Sequence, residues 1–174
     1  MQVKLQTKRL YFSTWTKDEL NLALSLWGNP KVAKYIHKNG IFTKEEVELR
    51  LNNEISNFEK VGIQYFPIFF SKSHEFMGVC GFRPTKRSGE LEFGIHLLPK
   101  FWHKGLATEA AQAIITYAFT SLKINSIVAG HNPQNNASKK LLTKLGFKFV
   151  RNEYYPPTGL NHPTYVLSEY HSCD

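Results

Sequence analysis

The sequence has 174 residues, which favours a single domain large enough to bury a core. Hydrophobic residues make up 42% and charged residues 21%, a balance typical of folded globular proteins, so global disorder is excluded. The formal net charge of +8 suits an anionic ligand, a nucleic acid or an acidic partner. Because no run of Lys or Arg exceeds two residues, we do not expect nucleic acid as the main ligand.

Two features of the chain favour a cytoplasmic protein. The cysteines, Cys80 and Cys173, are far apart and fit neither a disulfide framework nor a zinc site, so we expect no metal. The first ten residues are too polar for a signal peptide, and no apolar run approaches the ~20 residues of a membrane span. We therefore expect a reducing compartment and no membrane partner.

Periodicity and capping signals predict one α/β domain over residues 1–174, in the order β, α, α, β, β, β, α, β, α, β, β. Two helices open with capping boxes, at residues 16–19 and 43–46. Two more follow Gly105 and the loop before residue 137, the last ending at Gly146. The predicted strands cover residues 5–12, 63–70, 76–82, 91–97, 126–129, 147–154 and 164–167.

The clearest functional signal lies in residues 91–119. Apolar and polar residues alternate from Leu91 to Leu97, which predicts a strand with Glu92 and His96 on its polar face. A small-residue loop containing Gly105 then leads into a helix, and the N–H groups of a helix start can converge on an anion. Phosphate-loop and dinucleotide fingerprints are both missing. The loop therefore indicates a phosphate-bearing ligand, unless its glycine serves the turn geometry alone.

The motif Pro-x-x-Trp-x-Lys-Gly-x-Ala-Thr-Glu-Ala begins at Pro99 and resembles the acetyl-CoA-binding segment of the GNAT superfamily of N-acetyltransferases, RimJ/RimL-like branch. Gly105 and Ala107 match the last two positions of the family's pyrophosphate loop, Gln/Arg-x-x-Gly-x-Gly/Ala, whereas Trp102 departs from the first. Two further blocks are similar to family segments and occur in the family's order. One comprises residues 7–10 and 27–32, and the other comprises residues 135–138 and 145–147.

The resemblance implies a fold and a co-substrate. The fold would be a single-domain α/β GNAT-like fold, with a central mixed, mostly antiparallel sheet splayed at the acetyl-CoA site and flanked by about four helices. The pantetheine arm of acetyl-CoA would lie in that opening, and the diphosphate would sit on backbone N–H groups of the loop. The cofactor-binding residues implied are Leu97, Leu98, His103, Lys104, Gly105, Leu106, Ala107, Thr108 and Asn135.

The resemblance also implies catalytic residues. An ammonium has no lone pair, so a base must deprotonate the amine before it attacks. Glu92 matches the family's catalytic carboxylate, although it could instead bind a cationic substrate, and His96 is the second candidate base. Many family members protonate the departing thiolate with a Tyr, but Leu142 occupies that place. Ser138 is the implied replacement, unless it only caps its helix.

We therefore expect an acetyl-CoA-dependent N-acetyltransferase that moves an acetyl group to a primary amine by direct attack in a ternary complex. The acceptor is left open among a peptide N-terminus, an amino acid, a polyamine and an antibiotic. A catalytically weak acyl-CoA-binding or regulatory module is the alternative, and a homodimer is a family-level expectation. Six residues are expected to wall the acceptor site: Trp27, Tyr35, His37, Tyr154, Tyr155 and His162.

Overall fold

The computed structural model of the protein describes residues 5–168. The strands are β1 (Leu10–Phe12), β2 (Tyr65–Phe70), β3 (Phe76–Pro84), β4 (Glu90–Leu97), β5 (Ser126–Gly130), β6 (Lys148–Tyr155) and β7 (Leu160–Leu167). The helices are α1 (Leu20–Trp27), α2 (Pro30–Ala33), α3 (Lys44–Val61), α4 (Leu106–Thr120) and α5 (Asn136–Lys144). Short 3-10 turns cover Lys17–Glu19 and Pro99–Phe101.

The strands form one mixed sheet in the order β1-β2-β3-β4-β5-β7-β6. Only β4 and β5 run parallel, and the other neighbours are antiparallel. The predicted α/β fold with a mixed, mostly antiparallel sheet is confirmed. The expected set of about four helices corresponds to α1, α3, α4 and α5, to which the single turn of α2 is added.

The sheet splits between β4 and β5. Their pairing covers three registers and ends where Glu92 lies opposite Val128. Beyond that point β4 continues to Leu97 beside β3, whereas β5 continues to Gly130 beside β7. The two strands therefore diverge, which is the predicted splay, and the backbone edges of the split are left without a strand partner.

The side chains of β4 divide between two cores, one on each face of the sheet. Leu91, Phe93 and Leu97 belong to the core that contains α4. By strand alternation, Glu92 and His96 project from the opposite face, where a second core contains residues of α1 and α3. The strand thus connects a helix N-terminus on one face with a carboxylate and an imidazole on the other.

The predicted capping signals are present. In the second capping box the Thr43 hydroxyl accepts the Glu46 N–H at 3.2 Å, and the Glu46 carboxylate accepts the Thr43 N–H at 2.8 Å. At the first box, the carboxylate of Glu19 accepts the N–H of Thr16 at 2.7 Å. Gly146 adopts a left-handed conformation with φ of 86° after α5, as predicted.

The predicted boundaries were wrong at both ends of the chain. The first strand begins at Leu10 rather than residue 5, because the Thr7 hydroxyl accepts the Leu10 N–H at 3.0 Å and forms a turn. Strand β7 begins at Leu160 rather than residue 164 and so includes Pro163. The proline is tolerated because β5 ends opposite Thr164, so at Pro163 the strand has a partner only on the β6 side.

Cys80 is buried with a free thiol, and Cys173 lies outside the described residues.

Candidate active site

A cavity of about 1080 Å³ opens where β4 and β5 part. Its lining combines the end of β4, the loop before α4, the segment that follows β5 and the start of α5. Both sheet faces contribute, because Leu106 of the α4 core and His96 of the opposite face line the same space. The cavity therefore runs through the split in the sheet.

The cavity collects almost all of the predicted site residues. Leu98 is the exception: its N–H donates to Met77 at 2.9 Å and its C=O accepts from Phe101 at 3.0 Å, so its backbone is already bonded. We leave Leu98 out of the proposed site. The predicted residues that line the cavity are Glu92, Leu97, His103, Lys104, Gly105, Leu106, Ala107, Thr108, Asn135 and Ser138.

The loop before α4 presents a row of free backbone donors. His103 and Gly105 both adopt left-handed conformations, with φ of 59° and 73°. Within residues 5–168, the N–H groups of residues 103–108 have no acceptor. These groups sit at the positive end of the 15-residue helix α4. Free N–H groups at a helix N-terminus are an arrangement that can bind an anion through the backbone.

Trp102, which departs from the first position of the family's pyrophosphate loop, links this loop to β4 through a hydrogen bond. Its indole N–H donates to the carbonyl of Leu97 at 2.8 Å. Because the N–H of Leu98 bonds to β3, strand alternation turns the N–H and C=O of Leu97 away from β3 and toward the split. The carbonyl of Leu97 is thus occupied, whereas its N–H is available to a bound ligand.

The N-terminal segment clamps the first turn of α4. Glu109 accepts the Thr7 hydroxyl at 2.6 Å and the Arg9 guanidinium at 2.6 Å. Arg9 also donates to the carbonyl of Lys104 at 3.3 Å, inside the loop itself. Although partial burial opposes ionisation, the bonds from Thr7 and Arg9 lower the pKa of Glu109. The two matching sequence blocks at residues 7–10 and 99–110 are therefore joined by a physical contact that holds the loop.

Glu92 is the candidate base on the other face. It is half-buried, lies opposite Arg83 in the register of β3 and β4, and has no hydrogen bond to its carboxylate from the described part of the chain. Burial raises its pKa, an effect that the charges of Arg83 and Arg50 partly oppose. A general base is most effective when its pKa lies near the working pH. The raised pKa of Glu92 is therefore closer to the value that suits a base at neutral pH.

His96 is poorly placed to act as the base. The indole N–H of Trp27 donates to its Nδ1 at 3.2 Å, so that nitrogen is the acceptor and the ring proton of the neutral form is on Nε2. Burial and the nearby cations Arg50 and Arg83 lower its pKa well below the usual value. His96 is thus a neutral group that offers an N–H rather than a lone pair.

Two arginines near Glu92, Arg83 and Arg50, were not predicted as site residues from the sequence. Arg83 forms an ion pair with the fully buried Glu54, with its Nε 3.1 Å from the carboxylate, and lies over the ring of Tyr65. Arg50 lines the cavity and lies over the ring of Trp27 at 4.8 Å. A signal was present: Arg50 and Glu54 follow Val47 by three and seven residues, which places them on the buried stripe of α3.

Two of the predicted site residues, Asn135 and Ser138, lie at the start of α5 and make different contacts. The side-chain oxygen of Asn135 accepts the N–H of Ser138 at 3.1 Å and caps the helix. The hydroxyl of Ser138 has no hydrogen-bond partner among residues 5–168 and lines the cavity. Asn135 therefore does the capping that was the alternative role for Ser138. Leu142, at the place of the family Tyr, is buried in the core.

Four of the six residues predicted to wall the acceptor site line the cavity, and two do not. His37 instead contacts Glu46 at 3.3 Å, and the ring of Trp27 is fully buried behind His96. The remaining four residues line the cavity: Tyr35, Tyr154, Tyr155 and His162.

Comparison with known proteins agrees with this geometry. A family profile described as an acetyltransferase (GNAT) domain matches residues 9–148. An uncharacterized N-acetyltransferase, p20, from Bacillus licheniformis is 33% identical over 83% of this chain and 82% of its own. The ribosomal protein uS5-alanine N-acetyltransferase of Escherichia coli is 34% identical over 54% of this chain and 50% of its own. A solved structure of RimL, a ribosomal L7/L12 α-N-protein acetyltransferase in complex with coenzyme A, superposes with a TM-score of 0.78 at 16% identity, covering 93% of this chain and 95% of that one.

The chain therefore belongs to the GNAT acetyltransferase family, an enzyme family of the N-acetyltransferase class. Along residues 5–168, none of the helices has both the length and the apolar composition that a membrane crossing requires.

Proposed function

We propose that the protein transfers the acetyl group of acetyl-CoA to a primary amine by direct attack in a ternary complex. One observation carries this proposal: the free N–H groups of residues 103–108 and the carboxylate of Glu92 line one cavity from opposite faces of the sheet. An anionic cofactor held on one side can thus reach an amine held on the other through the split.

The residues present suit acetyl-CoA, which would supply an acetyl group activated as a thioester. The N–H groups of residues 103–108 would hold the diphosphate, with Lys104 adding positive charge. The free N–H of Leu97 would bind an amide carbonyl of the pantetheine arm or the acetyl oxygen as it gains negative charge. Asn135 would contact the arm through its amide nitrogen, because its oxygen already caps α5.

Three proton movements complete the reaction. Glu92, directly or through one water, takes a proton from the bound ammonium and passes it to solvent, and the neutral amine then attacks the acetyl carbon. The carbon–nitrogen bond forms, and the nitrogen loses its second proton to water or to Glu92. The carbon–sulfur bond breaks, and the hydroxyl of Ser138 donates its proton to the departing thiolate as it takes one from solvent. The free hydroxyl of Ser138 and the raised pKa of Glu92 support these two roles.

A peptide N-terminus, an amino acid, a polyamine and an antibiotic are the acceptor classes that this function admits. The named relatives that acetylate ribosomal proteins support the first. The cytoplasmic location and the homodimer stay predictions.

The test is release of free thiol from acetyl-CoA, measured with a panel of amines and N-terminal peptides, with the acetylated product identified by mass spectrometry. We expect thiol release that depends on at least one amine. Acetyl-CoA binding without transfer to any amine would favour the alternative of an acyl-CoA-binding module.

A further inference from the structure

Arg50 places a cation without an anionic partner in the Glu92 half of the cavity. The residue is half-buried, and its Nε is fully buried without a hydrogen bond. Its guanidinium lies over the rings of Trp27 at 4.8 Å and Phe42 at 5.5 Å. Among the described residues it forms no hydrogen bond and no ion pair. Burial and the nearby Arg83 lower its pKa to about 10, so it stays charged at neutral pH.

The neighbouring Arg83, in contrast to Arg50, has a carboxylate partner. It bonds to the buried carboxylate of Glu54 through Nε and a terminal nitrogen, at 3.1 and 2.5 Å. Glu54 also accepts the N–H of Tyr65 at 2.8 Å, so both of its oxygens are engaged. Among the described residues neither Glu54 nor Glu92 forms a hydrogen bond or an ion pair with Arg50. An unpaired buried cation destabilises a fold until an anion binds it.

Arg50 and Glu92 belong to the same side of the site. Glu92 projects from the sheet face opposite α4, and Arg50 comes from α3, which packs on that face. Both residues line the cavity. Arg50 lies close enough to Glu92 for its positive charge to lower the pKa of that carboxyl, against the larger effect of burial. A ligand with an ammonium for Glu92 and an anion for Arg50 would satisfy both charges.

A carboxylate is the anion that fits best. A guanidinium binds a carboxylate through two parallel N–H···O bonds. Because Arg83 is already neutralised by Glu54, Arg50 supplies one positive charge, which matches one carboxylate and leaves a dianionic phosphate half-compensated.

We propose that Arg50 binds a carboxylate of the acceptor, so that the acceptor is either a free amino acid or a peptide with an acidic side chain close to its N-terminus. This inference rests on the proposed acetyl transfer, and it excludes polyamines as the preferred substrates.

The experiment compares carboxylates with carboxamides of the same shape. One arm uses L-amino acids, each paired with its amino acid amide. The other uses C-terminally amidated tripeptides with Asp or Glu at the second or third position, each paired with the Asn or Gln peptide. We expect kcat/KM to favour the carboxylate in at least one arm by about 10- to 100-fold, the effect of losing a hydrogen bond to a charged group. The arm that shows the preference identifies the source of the carboxylate.

Arg50→Met keeps an apolar stem against Trp27 and Phe42 and removes the charge. It should erase the preference while leaving acetyl-CoA affinity unchanged, and Arg50→Lys should retain part of it. Lys60→Met is the matched control, since it removes an exposed cation from the same helix outside the cavity and should leave the preference intact.

A second readout separates this inference from the proposed function. Calorimetry in the presence of CoA measures binding of N-acetylamino acids against their amides without requiring transfer. Selective binding of the acids by wild type but not by Arg50→Met would support the carboxylate site even if no amine were acetylated. The same titration with the N-acetylated peptides covers the second arm. Equal kcat/KM and equal binding for acids and amides in both arms, or a preference that persists in Arg50→Met, would overturn the inference and leave acetyl transfer standing.

Discussion

Replacing Gly105 by Val tests whether the loop before α4 binds acetyl-CoA through its backbone. Gly105 has φ of 73°, and a Cβ there would come no closer than 3.8 Å to Arg9, so the substitution strains the backbone without a steric clash. That strain costs about 1–2 kcal/mol for a residue with a side chain. It should lower Tm by about 2–8 °C in a protein of this size. If the loop relaxes to relieve the strain, its N–H groups turn away from the ligand. Each bond to a charged phosphate contributes about 1.5–3 kcal/mol, so acetyl-CoA affinity should fall at least about 10- to 100-fold.

Calorimetric titration with acetyl-CoA measures this loss, and Gly62→Val provides the control. Gly62 ends α3 with φ of 72°, and a Cβ there meets no atom within 4 Å. The control should therefore lose a similar amount of stability while binding acetyl-CoA normally. Unchanged affinity in Gly105→Val, with Tm lowered as in Gly62→Val, would show that the loop geometry is not needed for binding.

Three further substitutions separate the roles of the site residues. Glu92→Gln should lower kcat about 10²- to 10⁴-fold with acetyl-CoA affinity unchanged. Because only ionised Glu92 accepts a proton, the wild-type rate should rise with pH through its raised pKa, and a pH profile of the variant that kept this limb would exclude Glu92 as the base. Ser138→Ala should slow single-turnover thiol release, and a wild-type rate would remove Ser138 from the mechanism. Glu109→Gln should reduce stability near neutral pH, because the folded-state pKa of Glu109 is lowered by Thr7 and Arg9. This contribution is present above the ordinary pKa and is lost as pH falls through the lowered value, so denaturant midpoints of variant and wild type should converge in acid.

Local chemistry made much of the fold predictable from the sequence. The capping box at Thr43 and the left-handed Gly146 depend on residues within a few positions, and both occur as predicted. The boundary errors arose where tertiary contacts decide. Thr7 turns the chain and bonds to Glu109, 102 positions away, and Pro163 fits its strand only because β5 has already ended.

The candidate site likewise contains some residues that local sequence patterns predict and others whose positions depend on tertiary contacts. The loop around Gly105 and the polar face of β4 follow from contiguous patterns, and the structure brings both to one cavity. Arg50 was missed because an arginine on an amphipathic helix is ordinarily exposed, and its contacts with Trp27 and Phe42 depend on how α1 and α3 pack. Leu98 is left out of the proposed site because its N–H donates to Met77 and its C=O accepts from Phe101, bonds that depend on tertiary contacts and the local turn.

The most direct test of the central claim is to follow a radiolabelled acetyl group from acetyl-CoA in the presence of the amine panel. The account predicts that the label appears on the amine, that thiol is released in equal amount, and that Glu92→Gln transfers it far more slowly despite binding acetyl-CoA normally. Label that stays on CoA or appears as acetate with every amine, or that reaches the amine at an unchanged rate in Glu92→Gln, would contradict it.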